Sequence, residues 1–239
     1  MGNEKYGQNF QRHELKYILT HEQYLYVKSE LLKYMKVDKY GISTIQSVYY
    51  DTPSHLLIRN SVDKPKFKEK IRLRSYGLAK PGSPCFLEIK RKAVGLVYKR
   101  RIMLSEEKAH EFFNYNDNAA GDGQIARELT AFRNKYESLI PSMLIIYERE
   151  SFFRENSEVR VTFDFAPRYR TEDLNLHTSL EGTPLLDPTI ALMEIKVLHN
   201  MPLWLTGILT RGNIKRGSFS KYGRAYAIEK EKHNGSVFF

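Results

Sequence analysis

Several short runs along this chain place a cation at every second position, which is the spacing of one face of a β-strand. In Lys70-Ile71-Arg72-Leu73-Arg74, basic and apolar residues alternate, and alternate residues of a strand point to opposite faces. The same spacing collects a set of cations on one predicted sheet face: Lys16, Arg72, Arg74, Lys90, Lys99, Arg101, Arg149, Arg160 and Lys196. Like charges at this density repel one another unless an anion binds between them. The pattern therefore predicts a surface for a polyanion.

Acidic residues are fewer on the same predicted face. They are Glu14, Glu88, Glu194 and, by its position in the run Val159 to Asp164, Asp164. Carboxylate oxygens are the ligands that hard divalent cations prefer. The glutamates could therefore hold a metal ion between the cations and a bound anion.

The composition supports an anionic partner without choosing one. The net charge of +10 over 239 residues favours nucleic acid, phosphates or an anionic membrane surface. The single cysteine, Cys85, forms no internal disulfide, so we expect a reducing compartment and no disulfide-linked partner. No run approaches the ~20 apolar residues of a membrane span, and we therefore expect a cytoplasmic protein.

The elements that must position these residues are strands with helices between groups of them. Strands are predicted over 10–19, 45–50, 68–76, 85–92, 95–104, 143–153, 158–165 and 192–198, with a turn at Ala93-Val94-Gly95. Helices are predicted over 20–35, 54–62, 106–113, 124–137, 202–211 and 220–231, and Thr20 with Gln23 has the spacing of a capping box. We expect flexible ends at 1–9 and 232–239 and a single domain over 10–231.

This order lacks the alternation of a βαβ fold and favours an antiparallel α+β domain, either a closed barrel or a curved sheet. Apolar residues such as Ile71 and Leu73 lie opposite the cations and can pack under helices. The charges would then point inward, and a closed barrel of about eight strands would enclose a polar lumen. The alternative is an ordinary solvated sheet face.

Two kinds of nucleotide or nucleic-acid site are not favoured by the sequence. No P-loop motif G-x-x-x-x-G-K-[ST] occurs. An RNA-binding sheet would place aromatic residues beside the cations, whereas Tyr98 and Phe163 alternate with Lys99 and Arg160 and so face the other way. We expect no nucleic-acid partner.

The order of the motifs is more specific than any one of them. They are R-x-E-x-K-Y from Arg12, Y-D-T from Tyr50, K-I-R-L-R from Lys70, F-L-E-I-K-R-K from Phe86, V-Y-K-R-R from Val97, Y-E-R from Tyr147, V-R-V-T-F-D from Val159, M-E-I-K-V from Met193 and S-K-Y from Ser220. Over residues 10–227 the chain resembles the polyphosphate polymerase domain of the vacuolar transporter chaperone complex, the VTC domain. That domain is a branch of the triphosphate tunnel metalloenzymes, which also include the CYTH phosphatases.

The resemblance implies an eight-stranded antiparallel barrel, a tunnel with helices outside, and transfer of the γ-phosphate of ATP onto inorganic polyphosphate with Mn²⁺ or Mg²⁺. Carried over by position, the phosphate-contacting cations would be Lys16, Arg72, Arg74, Lys90, Lys99, Arg101, Arg149, Arg160 and Lys221. The other substrate-binding residues would be Glu14, Tyr147, Lys196 and Ser220. Glu194 matches the metal-binding glutamate. Glu88 or Glu14, as hard oxygen donors on the same predicted face, is the candidate for a second ligand.

The chain departs from the hydrolytic branch at its first motif. Hydrolytic tunnel enzymes carry E-x-E-x-K there, and Arg12 replaces the first glutamate, which favours the polymerase branch. The sensing domain and membrane segments of the yeast complex have no counterpart in this sequence. We therefore expect a stand-alone bacterial form, cytoplasmic, with a membrane protein at the inner face of the membrane as a candidate partner. A triphosphate hydrolase and a non-catalytic binding module remain alternatives.

Overall fold

The computed structural model describes residues 13–63, 66–93, 96–136 and 138–235. Ten strands occur in these ranges: β1 (His13–Leu19), β2 (Lys36–Asp51), β3 (Phe67–Tyr76), β4 (Cys85–Ala93), β5 (Leu96–Leu104), β6 (Ile140–Phe153), β7 (Arg160–Arg170), β8 (Thr183–Pro184), β9 (Ala191–Val197) and β10 (Arg216–Gly217). Six α-helices accompany them: α1 (His21–Leu31), α2 (Leu56–Val62), α3 (Glu106–Phe113), α4 (Gln124–Asn134), α5 (Leu203–Arg211) and α6 (Lys221–Gly235).

The strands form one antiparallel sheet, in the order β10-β1-β9-β7-β6-β2-β3-β4-β5, with β8 paired to β7. The prediction of a closed eight-stranded barrel is corrected on two points. The sheet has ten strands, of which β8 and β10 are two residues long. Within the described ranges, no strand pairing joins β5 to β1 or β10. The fold is a mixed α/β one built on a large antiparallel sheet that is not closed into a barrel.

The short strand β10 gives a physical reason why the sheet stays open. It pairs with the middle of β1 through Lys16↔Gly217 and Tyr17↔Arg216. The free edge of β1 is therefore partly occupied, and β5 has no continuous ladder there to join. The sheet is nevertheless strongly curled. Lys90 of β4 lies 2.7 Å from Glu14 of β1, although five strands separate β4 from β1 in the sheet order.

The outer face of the sheet holds most of the apolar core, as the alternation predicts. One cluster joins Ile71, Leu73 and Leu87 to residues of α3 and α4. A second cluster joins Val161, Phe163 and Ile195 to residues of α1 and α5. The structure therefore agrees with the prediction that apolar residues face outward under helices and charges face inward. It does not agree with the alternative of an ordinary solvated sheet face.

One helix departs from the prediction that all helices pack outside. The helix α6 packs against the inner face of β2 and β6 through Tyr222 and Ala225, which join the cluster of Ile45, Met143 and Ile145. The inner-facing part of β6 from Met143 to Tyr147 is apolar or aromatic at alternate positions. This stretch requires an apolar partner, and α6 supplies it.

Several boundaries differ from the sequence prediction. The capping box at Thr20 and Gln23 is confirmed, but α1 ends at Leu31, before the predicted end at residue 35, and β2 begins at Lys36. The strand β2 is longer than predicted, with an exposed or half-buried first half that carries no alternating apolar signal. The helix α6 continues to Gly235. Residues 1–12, including Arg12, the turn residues Val94 and Gly95, Glu137 and residues 236–239 lie outside the described residues.

Candidate functional site

Strand register brings the predicted cations onto one continuous face, which we call the inner face. Directly paired residues of antiparallel strands point to the same side of a sheet. Two series of such pairs, Tyr49↔Arg72↔Glu88↔Arg101 and Arg160↔Lys196↔Glu14, cross the two halves of the sheet. The predicted residues found on this face are Glu14, Lys16, Arg72, Arg74, Glu88, Lys90, Lys99, Arg101, Tyr147, Arg149, Arg160, Glu194 and Lys196.

The remaining two predicted residues, Ser220 and Lys221, reach the same face from the start of α6. Lys70 Nζ donates to Ser220 Oγ at 3.4 Å, and Lys221 forms an ion pair with Asp164. Lys16 Nζ donates to the carbonyl oxygen of Phe219 at 2.9 Å. The segment that leads into α6 therefore contacts side chains of the inner face directly.

Glu88 of the inner face is a buried counter-ion for two cations. Arg72 Nε and NH2 donate to its Oε2 at 2.9 and 2.7 Å, and Lys99 Nζ lies 2.7 Å from its Oε1. Burial acts to raise the pKa of Glu88, but Arg72, Arg74 and Lys99 outweigh it and lower the pKa to about 2. Glu88 is ionised at neutral pH, and its oxygens are engaged by these cations.

A second ion-pair cluster lies across the inner face at Asp164. Arg149 donates to it through Nε to Oδ1 at 2.6 Å and NH2 to Oδ2 at 2.8 Å, and Lys221 shares Oδ2. Burial acts to raise the pKa of Asp164, yet Lys221 and Arg149 hold it well below its usual value. Tyr147 lies between the clusters, with Lys221 Nζ 4.2 Å from its ring centroid and Arg74 NH2 donating to its hydroxyl at 3.1 Å.

Tyr49 and Lys70 belong to this face and are missing from the predicted site. Arg72 NH1 donates to Tyr49 Oη at 2.9 Å. Burial acts to raise the pKa of Tyr49, but Arg72, Lys70 and Arg74 lower it to about 7. Lys70 shares the alternation of Arg72 and Arg74, so strand period alone could have found it. No such signal distinguishes Tyr49 from Tyr50 beside it.

Arg72, Lys70 and Arg74 surround the Tyr49 phenol with positive charge, which is the cause of its lowered pKa. The pKa of Lys70 is lowered to about 8, chiefly by burial and further by Lys16, Lys68 and Lys90, while Tyr49 opposes the shift. Glu88 therefore neutralises only part of the charge in this region. The excess positive charge is suited to a multiply charged anion.

Glu194 is the carboxylate that the family resemblance predicts as a ligand of a divalent cation. Burial acts to raise its pKa, but Lys196, Lys16 and Lys90 lower it to about 2, so it offers ionised, hard oxygen atoms. Lys196 Nζ lies 3.0 Å from its Oε1. Among the described residues, no group of three or more His, Cys, Asp or Glu side chains could hold a metal. The donor set fits a cation that is held partly by a phosphate ligand, which is the usual arrangement for Mg²⁺.

Comparison with known proteins identifies the family. The family model of the VTC domain matches residues 11–230, and the chain belongs to the VTC domain family. No curated protein sequence matches the chain. No helix in the described ranges is long and apolar enough to cross a membrane.

Two solved structures are similar in fold. One is a proposed adenylate cyclase from Vibrio parahaemolyticus, with 13% identity, a TM-score of 0.50, and coverage of 92% of this chain and 99% of that chain. The other is a proposed adenylate cyclase from Bacillus halodurans, with 13% identity, a TM-score of 0.54, and coverage of 88% of this chain and 95% of that chain. At this identity the similarity concerns the fold alone.

Proposed function

We propose that this protein is a metal-dependent polyphosphate polymerase that transfers the γ-phosphate of ATP to a polyphosphate chain. The observation that carries the proposal is the inner face, on which cations from β1, β3, β4, β5, β6, β7 and β9 and from the start of α6 converge. Membership of the VTC domain family supports a reaction of the phosphoryl-transfer type.

The cations divide into two groups with different roles in this proposal. Arg72 and Arg149 are held by buried carboxylates and form a fixed positive wall, since their guanidinium groups are oriented before substrate arrives. Arg101 and Arg160 are exposed on the same face and can adjust to the phosphate oxygens. Arginine binds such oxygens through paired donors, whereas lysine acts as a point charge.

Phosphoryl transfer requires positioning and neutralisation of charge more than covalent chemistry by the protein. A terminal phosphate oxygen of the polyphosphate attacks the γ-phosphorus of ATP, the bond to the β-phosphate oxygen breaks, and ADP leaves. The cations of the inner face align the two anions and offset the repulsion between them. Glu194 would hold the Mn²⁺ or Mg²⁺, which when bound neutralises charge on the triphosphate. Cys85 is fully buried in the outer cluster and takes no part.

The proposal is tested by the products formed from ATP and Mn²⁺, with Mg²⁺ in parallel. We expect ADP together with long polyphosphate on a gel, and ADP with free phosphate but no polymer would instead indicate a hydrolase. Arg101 and Arg100 provide a matched pair because they are neighbours on β5 that point to opposite faces. Arg101→Ala should lower polymer formation at least tenfold, whereas Arg100→Ala, which removes a pair with Glu128 on the outer side, should not.

A second candidate function is a phosphate-chain binding module without turnover. It is favoured by the ion pairs at Glu88, Asp164 and Glu194 and by the lack, among the described residues, of a three-ligand metal cage. In that case tripolyphosphate would bind tightly to the inner face, and no ADP would form with either metal.

A further inference from the structure

Thr162 carries a buried polar atom that the fold does not explain. The residue is 8% exposed, and its Oγ1 has no hydrogen-bond partner among the described residues. Val161 and Phe163 on either side pack in the outer cluster, so Thr162 points to the inner face. A buried hydroxyl without a partner costs about 1–3 kcal/mol. Such groups in native proteins are usually satisfied by an ordered water or an ion.

Thr162 lies directly opposite Glu194 in the pairing of β7 with β9. Side chains of directly opposed residues lie on the same face, with Cβ atoms about 4.5–5.5 Å apart. On the other side of Glu194, Lys16 of β1 is the paired residue. Lys16, Glu194 and Thr162 therefore form a row across the inner face. In this row the Thr162 hydroxyl is a neutral oxygen beside the Glu194 carboxylate.

The neighbouring charged groups are committed to other partners. Asp164, two residues along β7, is held by Arg149 and Lys221. On β6, the residue paired with Thr162 is Ser151. Glu194 is therefore the acidic side chain directly adjacent to the hydroxyl, and the two together form a small site with two kinds of hard oxygen donor.

We propose that Thr162 Oγ1 is a second protein ligand of the divalent cation at Glu194. The inference rests on the metal site of the proposed function and adds a residue to it. Serine and threonine hydroxyls bind Mg²⁺ beside nucleotide phosphates in the P-loop enzymes. A neutral hydroxyl adds a ligand without adding negative charge, so the site still requires phosphate oxygens to complete the coordination. We expect Mn²⁺ to bind weakly to the free protein and more tightly with tripolyphosphate.

The test is the affinity for Mn²⁺, read from the electron paramagnetic resonance signal of free Mn²⁺, with and without tripolyphosphate and without ATP. Thr162→Val removes the hydroxyl and keeps the shape, whereas Thr162→Ser keeps the hydroxyl. We expect Thr162→Val to weaken Mn²⁺ binding in the presence of tripolyphosphate about tenfold or more. Thr162→Ser should bind Mn²⁺ within about threefold of the unaltered protein, a difference of at most about 0.7 kcal/mol.

Two further variants keep the test decisive. Thr162→Ala also removes the hydroxyl and replaces Thr162→Val if that variant fails to fold. Ser151→Ala removes the hydroxyl on the opposite side of Thr162 and should leave Mn²⁺ binding unchanged. Equal Mn²⁺ affinity in Thr162→Val, Thr162→Ala and the unaltered protein would overturn the inference, as would an unaltered protein that binds no Mn²⁺ with tripolyphosphate.

The outcomes separate this inference from the proposed function. If Thr162→Val weakens Mn²⁺ binding but the unaltered protein forms no polymer from ATP, the metal ligand stands and the polymerase proposal fails. If polymer forms and Thr162→Val binds Mn²⁺ normally, the polymerase proposal stands and the Thr162 inference fails.

Discussion

Arg72 and Glu88 form an ion pair in which two nitrogens of one guanidinium, Nε and NH2, donate to the same carboxylate oxygen, Oε2. The other oxygen of Glu88 lies 2.7 Å from Lys99 Nζ. Glu88 is 1% exposed, so this negative charge lies inside the cationic wall. Glu88 therefore offsets part of the repulsion among these cations when no anion is bound, and it holds Arg72 in place.

Removal of the Glu88 charge should destabilise the fold and make it depend on a bound anion. Glu88→Gln leaves Arg72 and Lys99 without their counter-ion, and loss of one partner of a buried pair costs about 3–5 kcal/mol. We expect that loss in the free energy of unfolding in urea, and we expect tripolyphosphate to stabilise the variant more than the unaltered protein. The control is Glu128→Gln, which breaks the Arg100 pair on the outer side and should cost less than about 1 kcal/mol.

The Glu88 variant also tests the role of second metal ligand that the sequence analysis predicts for this residue. If Glu88 serves only as a counter-ion, Mn²⁺ affinity in the presence of tripolyphosphate should change far less in Glu88→Gln than in Glu194→Gln. Equal losses in the two variants would instead make Glu88 a metal ligand.

Tyr49 should report the positive potential of the inner face. The pKa of Tyr49 in the folded protein is about 7 against an ordinary value of 10.0. The phenol therefore releases its proton earlier in the folded state. Its contribution to stability is complete above about pH 10 and is lost as the pH falls through about 7. We expect the ultraviolet absorbance of a phenolate to appear near pH 7 and to vanish in Tyr49→Phe.

A bound phosphate chain should raise the pKa of the Tyr49 phenol. Tripolyphosphate would neutralise Arg72, Lys70 and Arg74, which depress the pKa of Tyr49, so the phenolate signal should shift toward higher pH. An unchanged titration with saturating tripolyphosphate would show that the anion binds away from this part of the inner face.

The docking of α6 should depend on one hydroxyl. Tyr222 Oη donates to Asp51 Oδ2 at 2.8 Å, and its ring stacks on Tyr49 at 4.4 Å between centroids. Tyr222→Phe keeps the stacking and removes a hydrogen bond to a charged group, a loss of about 1.5–3 kcal/mol. Hydrogen exchange of the α6 amides should become faster, whereas Tyr226→Phe, one turn along the helix, should have a smaller effect. Equal exchange rates in both variants would argue against this anchor.

The sequence contains most of the information about which residues share a face. Lys70-Ile71-Arg72-Leu73-Arg74 alternates strictly, and the structure places Ile71 and Leu73 in the outer core and the cations opposite. The capping box at Thr20 is likewise local, since all its atoms belong to four consecutive residues. Period and local hydrogen bonding therefore predict the strands and much of the inner face.

The relationships that the sequence does not contain are the long-range ones. The pairing of β10 with β1 joins residues about two hundred positions apart through two residue pairs. No periodic pattern marks this pairing, which helps to keep the sheet open. The position of α6 on the inner face depends on the packing of Tyr222 against Tyr49, which is distant in the sequence. The pairing of Arg149 with Asp164 depends on the register of β6 and β7 across a bulge.

The fate of each phosphate of ATP tests the central claim most directly. The protein is incubated with Mn²⁺, polyphosphate primer and ATP labelled at either the α- or the γ-phosphate, and the products are separated by gel and thin-layer chromatography. We predict that the γ-label enters long polyphosphate chains while the α-label stays in ADP, and that Glu194→Gln abolishes the transfer of the γ-label. Appearance of the γ-label solely as free phosphate, or of the α-label in a cyclic nucleotide, would contradict the account.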